Sequence, residues 1–190
     1  GEPDCGRVRT TDNHAYLKIA DGCSNFCTYC LIPKIRGAYR SVREDQLLRE
    51  AAALGEVKEL VLVAQDVTKY GSDLTGGENL VRLIRKLSAL ENVRKIRLLY
   101  CYPESVNEEL IDEIAANDKV LKYIDIPLQH ADDAVLKSMN RKGTYKSYLA
   151  LIKKLKERVR GIAVRSTFIT GFPGESEQAF ETLLRFLEEA

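Results

Sequence analysis

Cys23, Cys27 and Cys30 fall within eight consecutive positions, with three and then two residues between them. Such spacing suits one short loop wrapped around a compact object. It suits a disulfide framework poorly in a chain of 190 residues, so reduced thiols that bind metal are expected. Each thiolate can take a different iron of a four-iron cluster. The fourth iron then lacks a protein ligand, and open coordination marks a catalytic metal site. S-adenosylmethionine (SAM) can chelate such an iron through its amino and carboxylate groups. An electron from the reduced cluster then cleaves the sulfonium, and the resulting 5'-deoxyadenosyl radical removes a hydrogen from an unactivated carbon.

Two non-catalytic uses of the same cysteines stay open. A structural zinc site would recruit Cys5, Cys101 or a His as fourth ligand, although such loops usually pair two-ligand knuckles. An electron-transfer cluster would need four cysteines in a tight run, the last often followed by Pro. Here Cys30 is followed by Leu31 and Ile32, with no fourth Cys near.

From Ala15 onward, short runs rich in Val, Ile, Leu and Tyr alternate with longer segments of helical period. Strands are predicted at 16–20, 59–64, 95–100, 123–126 and 163–170. Helices are predicted at 43–54, 80–90, 107–116, 131–139, 145–160 and 176–189. This α/β pattern makes at least five parallel βα units with one extra helix, a partial (β/α) TIM-like barrel that is unclosed in this chain. Chemistry in such a fold sits on the loops after the strands' C-terminal ends. The cysteine loop follows the first strand directly, at that mouth. Residues 1–14 are polar, with one Pro and two Gly, and are read as a linker from an N-terminal domain outside this chain. Residues 15–190 form the core domain, expected to be truncated at its C-terminal end because the last helix reaches Ala190 without a cap or breaker.

Twenty-nine basic residues against twenty-eight acidic ones leave no general attraction to nucleic acid or membranes. Lys34, Arg36, Arg40 and Arg43 form a local basic cluster, either a solvated surface or a greeting for an acidic substrate or ribosomal RNA. No apolar run approaches the roughly 20 residues that span a bilayer, and no secretory signal opens the chain, so a cytoplasmic protein without membrane association is expected.

The three cysteines, with the aromatic Tyr29 before the last, resemble the radical SAM superfamily. Further segments narrow the match: Ile-Pro-Lys-Ile-Arg-Gly at 32–37, Val-Ala-Gln-Asp at 63–66, Tyr-Cys-Tyr-Pro at 100–103, Asp-Ile-Pro-Leu-Gln-His at 125–130 and Phe-Ile-Thr-Gly-Phe-Pro-Gly-Glu at 168–175. Together they are similar to the methylthiotransferases of that superfamily, over nearly the whole chain from Tyr16. The closest branch adds a methylthio group to the β-carbon of an aspartate in small-subunit ribosomal protein twelve. The branch that modifies a tRNA adenosine is the alternative. It typically reads Val-Pro-Tyr after the cluster and Leu-Pro-Val-Gln-Ser near the fourth strand. The resemblance implies a radical SAM barrel, a 4Fe-4S cluster on Cys23, Cys27 and Cys30, and SAM. It also implies a small-subunit ribosomal protein as substrate, free or on the ribosome, and an electron donor. A second 4Fe-4S cluster on three further cysteines is expected only in the full-length protein, since Cys5 and Cys101 alone remain here. A monomer is expected.

The same resemblance points to SAM contacts. Tyr29 would pack against adenine, and Gln65 and Asp66 would hold the ammonium with their oxygens. Gln129 and His130 would reach the ribose hydroxyls or the substrate, although a lone His after a strand is more often structural. Arg165 would pair with the SAM carboxylate, with Ser166 or Thr167 adding a hydroxyl. Ile169 and Gly171 would lie against adenine, where Gly permits close approach, or 171–174 is simply the turn into a helix. The literal Gly-Gly-Glu at 76–78 is read as a turn rather than the superfamily's motif of those letters. Cys101 is expected to be a small buried hydrophobe. No catalytic residue is expected beyond the cluster ligands.

Overall fold

A computed structural model describes residues 13–190. Most of the 1–14 linker, including Cys5, lies outside the described residues. Strand β1 (His14–Lys18) alternates, with Ala15 and Leu17 buried and Tyr16 and Lys18 exposed. A short antiparallel pair follows, β2 (Ala20–Asp21) with β3 (Arg40–Ser41). The sheet proper continues with β4 (Glu59–Val63), β5 (Ile96–Leu98), β6 (Tyr123–Asp125) and β7 (Ala163–Arg165). β4 lies between β1 and β5, and β6 pairs with β7, all in parallel. The Ile96–Val120 bridge and the Cys101 N–H to Asp125 C=O bond (2.8 Å) join the two groups. Strand order therefore follows chain order, with β1 and β7 at the two edges.

Parallel neighbours need crossovers, and helices supply them: α1 (Ile32–Arg36), α2 (Glu44–Ala53), α3 (Leu80–Ser88), α4 (Glu108–Ala116), α5 (Asp133–Ser138), α6 (Tyr145–Arg158) and α7 (Glu177–Glu189). Side chains fix where five of them begin. Asn79, Asn107, Asp132, Thr144 and Ser176 each accept a hydrogen bond from a first-turn N–H. α3 buries Leu80, Val81, Leu83, Ile84 and Leu87, one apolar stripe of helical spacing. Against such stripes the sheet turns Leu17, Leu60, Leu62, Ile96, Leu98 and Ile124, all fully buried. At the far end Phe186 meets Tyr145 edge-on at 5.2 Å and Phe168 at 6.4 Å.

The α/β reading with an unclosed parallel sheet matches the structure, with differences at the ends of elements. The strand predicted at 163–170 stops at Arg165, and beyond it only the Gln129–Phe168 bridge continues the pairing. The helix predicted at 131–139 starts later because Asp132 caps it. α1 and the β2–β3 pair were not predicted, being too short to show a period.

His130 does not serve a ligand. It is fully buried, its Nδ1 accepts from the Asp132 N–H (2.9 Å), and its Nε2 faces Glu175 Oε1 at 3.2 Å. The turn before α7 is thereby pinned beneath β6. Burial alone would raise the Glu175 carboxyl. Hydrogen bonds from His130 and from the Phe172 and Gly171 N–H groups outweigh burial and hold the carboxyl below its ordinary range.

Two predictions follow from this packing. Leu62→Ala opens a cavity in the fully buried layer and should cost about 3 kcal/mol, read as a lower urea midpoint. Because the folded Glu175 carboxyl is depressed, its contribution is complete above roughly pH 5 and is lost as pH falls through the folded value. Urea midpoints taken between pH 6 and 3 should therefore drop more for the native chain than for Glu175→Gln. Parallel curves would refute the assignment.

Candidate active site at the carboxyl rim of the sheet

Gly22 makes the cysteine loop possible. Its φ is +75°, and a Cβ there would lie 2.2 Å from the Ala38 carbonyl oxygen, so only glycine fits. β2–β3 pairing and the Cys23 N–H to Gly37 C=O bond (3.1 Å) close the loop at its base. Its far side is tied to the end of α5. Thr28 donates through Oγ1 to Ser138 C=O (2.9 Å) and through N–H to Met139 C=O (3.2 Å), while Asn140 Nδ2 donates to Phe26 C=O (2.9 Å). Inside, the Cys30 N–H reaches Cys27 C=O (3.0 Å), a tight turn between the second and third cysteines.

All three cysteines are free and line one cavity of about 520 Å³, of the size that holds a small-molecule cofactor. Among the described residues, no group of three or more His, Cys, Asp or Glu closes around a single ion. A cluster does not need that, since each thiolate takes a different iron. Burial pushes the Cys23 thiol up, the Asn25 N–H at 3.5 Å from its sulfur draws it down, and Asp66 and Lys69 act on it in opposite directions. Tyr29, 36% exposed, stands at the cavity wall. Its phenol is pushed well up by burial and by the neighbouring Cys27.

The strand ends form the opposite wall. Gln65 follows β4, and its Oε1 is buried with no hydrogen-bond partner. Asp125 ends β6 and is 2% exposed. Its Oδ2 accepts from the Tyr100 N–H (3.1 Å), while its Oδ1 has no hydrogen bond and lies 3.5 Å from Arg165 Nη1. Buried acceptors left without donors are uncommon in a folded protein and mark places where a ligand's N–H or O–H is expected. The ammonium of SAM carries three donors, and its carboxylate suits the adjacent Arg165 guanidinium. The residues present therefore fit both groups, a cluster on the loop and SAM between loop and strand ends.

Of the residues singled out in the sequence, Cys23, Cys27, Cys30, Tyr29, Gln65, Gln129 and Arg165 meet at this cavity. Four others do not line it. Asp66 is fully buried and already engaged, accepting from Thr68 N–H (3.1 Å), the Thr68 hydroxyl and Asn25 Nδ2 (3.1 Å). Ser166 faces away because side chains alternate along a strand, so Arg165 and Thr167 turn inward while the Ser166 oxygen accepts from Leu128 N–H (3.2 Å). Ile169 packs on Val135, Met139 and Ala179. At Gly171 an added Cβ would meet nothing within 4 Å; its φ of +74° shows that turn geometry, not close approach, requires glycine there.

Glu78 of the Gly-Gly-Glu run also lies away from the cavity, 3.9 Å from Arg43. In the basic cluster, Arg43 thus has an acidic partner and Arg36 faces Asp21 at 3.9 Å. Cys101 is fully buried and its thiol is pushed far up by that burial. Sequence reasoning missed Asp125, Tyr100, Tyr102, Asn25 and Arg141 as cavity residues. The first three stand at or just after strand ends, which was a usable signal. Arg141 had none: it arrives from beyond α5, stacks its guanidinium on Tyr102 at 4.1 Å and donates through Nη2 to Pro127 C=O (3.0 Å).

Comparison with known proteins agrees with this geometry. The chain is 52% identical over 186 residues to the ribosomal protein uS12 methylthiotransferase RimO of Clostridium botulinum (strain Eklund 17B / Type B), covering 96% of this chain and 42% of that protein. It is equally similar, 52% over 185 residues, to RimO of Clostridium kluyveri, again covering 96% of this chain and 42% of the relative. The chain therefore spans under half the length of these relatives. Among solved structures, the cobalamin-dependent S-adenosylmethionine radical enzyme OxsB with aqua-cobalamin and S-adenosylmethionine bound shares the fold. Its TM-score is 0.67 at 15% identity, over 91% of this chain and 26% of that one. The sequence profile of the radical SAM superfamily matches residues 17–187, almost the whole of the described chain, and the chain belongs to that superfamily.

Proposed function

We propose that residues 15–190 are the SAM-cleaving core of a ribosomal protein uS12 methylthiotransferase that acts on the β-carbon of an aspartate. One observation carries the reading: the chain is 52% identical to an enzyme of that name over 96% of its length. When bound, the cluster supplies the electron that splits the SAM sulfonium and so generates the radical that takes the β-hydrogen. Cys23, Cys27 and Cys30 would hold the cluster. Gln65 Oε1 and Asp125 Oδ1 accept from the ammonium, and Arg165 pairs with the carboxylate. Tyr29 on the cysteine loop would pack against the adenine, and Gln129 beyond β6 would meet the ribose.

Sulfur transfer needs thiols that this segment does not supply. Apart from the cluster ligands it holds Cys5 and Cys101, and a buried, strongly raised thiol such as Cys101 is a poor donor. The sulfur comes from a second cluster in another part of the full-length protein, and a second SAM gives the methyl group. The full protein works as a cytoplasmic monomer with an external electron donor, and no helix of the described residues is long and apolar enough to cross a membrane.

Anaerobic reconstitution with iron and sulfide should yield a reduced cluster whose electron paramagnetic resonance signal changes when SAM is added. An unchanged signal would remove the enzyme reading. Gln65→Ala deletes one acceptor, a loss of about 1.4 kcal/mol, and should weaken SAM binding about tenfold. Substrate choice is decided in the full-length protein, assayed side by side on uS12 and tRNA, where methylthiolation of tRNA alone would overturn the uS12 assignment.

A further inference from the structure

Asn25 lies between the first and second cluster ligands, and its backbone N–H and both side-chain polar atoms have partners that bear on the loop. Its backbone N–H points at the Cys23 sulfur (3.5 Å). Its side-chain Nδ2 donates to Asp66 Oδ2 (3.1 Å), and its Oδ1 accepts from Lys69 Nζ. The Asp66 carboxylate accepts from Asn25 Nδ2, the Thr68 N–H and the Thr68 hydroxyl. Asp66 is fully buried and Lys69 half-buried, so solvent and salt screen the two charges only in part. One buried anion and one cation thus grip the same side chain, next to the sulfur that holds one iron.

We propose that Asp66 and Lys69, joined through Asn25, are a charge-balancing pair that positions the Cys23 corner of the loop and sets the reduction potential of the cluster it holds. Reduction adds one negative charge to the cluster. An anion nearby opposes that step and a cation favours it, while hydrogen bonds to the sulfurs modulate the balance. With both charges present their effects largely cancel, and the N–H to sulfur contact stays fixed. Neither Asp66 nor Lys69 lines the cavity, so these are positioning residues. The inference concerns the cluster alone and holds whichever macromolecule is modified.

Potentiometric titration of the anaerobically reconstituted chain, without SAM and followed by visible absorbance and electron paramagnetic resonance, tests it. Lys69→Met should lower the midpoint potential and Lys69→Arg should restore it. Asp66→Asn should raise the midpoint, the opposite sign. At fixed potential each change should move the ratio of reduced to oxidised cluster about tenfold, ~59 mV for one electron. A residue that only supports the fold would give lost iron or shifts of one sign. An unshifted Lys69→Met midpoint overturns the proposal, as do shifts of the same sign. Lys69 is half-buried on a surface turn, so its two variants decide the matter even if Asp66→Asn takes up no iron. A native chain that forms no cluster would instead refute the cluster assignment itself, a separate result.

Discussion

Parallel pairing makes every strand of the sheet end on the same rim. β1, β4, β5, β6 and β7 run in one direction, and the segments after them deliver Cys23, Gln65, Tyr100, Asp125 and Arg165 to one cavity although 142 positions separate the first from the last. Reversing any strand would carry its residue to the opposite end of the molecule. The fully buried layer of Leu and Ile side chains on the helix side holds that alignment. The polar site tolerates Gln65 and Asp125 oxygens that lack a hydrogen bond because the hydrophobic layer beneath it supplies the stability.

Much of this was legible in the sequence. The βα rhythm gave fold class and element order, since hydrophobic spacing differs between strands and helices. The Cys spacing located the mouth of the sheet before any coordinates. What stayed hidden was orientation within short segments. Gln65 and Asp66 are neighbours with similar chemistry, yet one opens on the cavity and the other is consumed by Thr68 and Asn25. Strand alternation could have separated Ser166 from Arg165 and Thr167. It could not place Ile169 or Gly171, because past the isolated Gln129–Phe168 bridge the chain leaves the sheet for the turn into α7. Arg141 was invisible because only tertiary packing brings it to Tyr102.

His130 and Asp66 carry a shared lesson. Both are titratable residues at strand ends, where ligand-binding groups gather, and both are wholly buried with every polar contact made inside the protein. Gln65 and Asp125 differ in having an atom left over. Of the buried side-chain oxygens without a hydrogen bond, those of Gln65 and Asp125 belong to cavity residues, whereas those of Glu44 and Glu78 do not, so an unsatisfied atom points to a ligand only where it lies at a cavity.

The ties between the cysteine loop and the end of α5 have a bearing on biogenesis. Thr28 and Ser138 stand 110 positions apart, and Phe26 and Asn140 stand 114 apart. Contacts so distant along the chain form late, after intervening units have condensed. During synthesis from the amino end, the three thiols emerge long before the residues that brace their loop. Iron loaded at that moment would sit on a loop without its outer support. A cluster on this loop would gain its outer support only once the end of α5 has folded, and until then the emerging thiols stand open to oxidation.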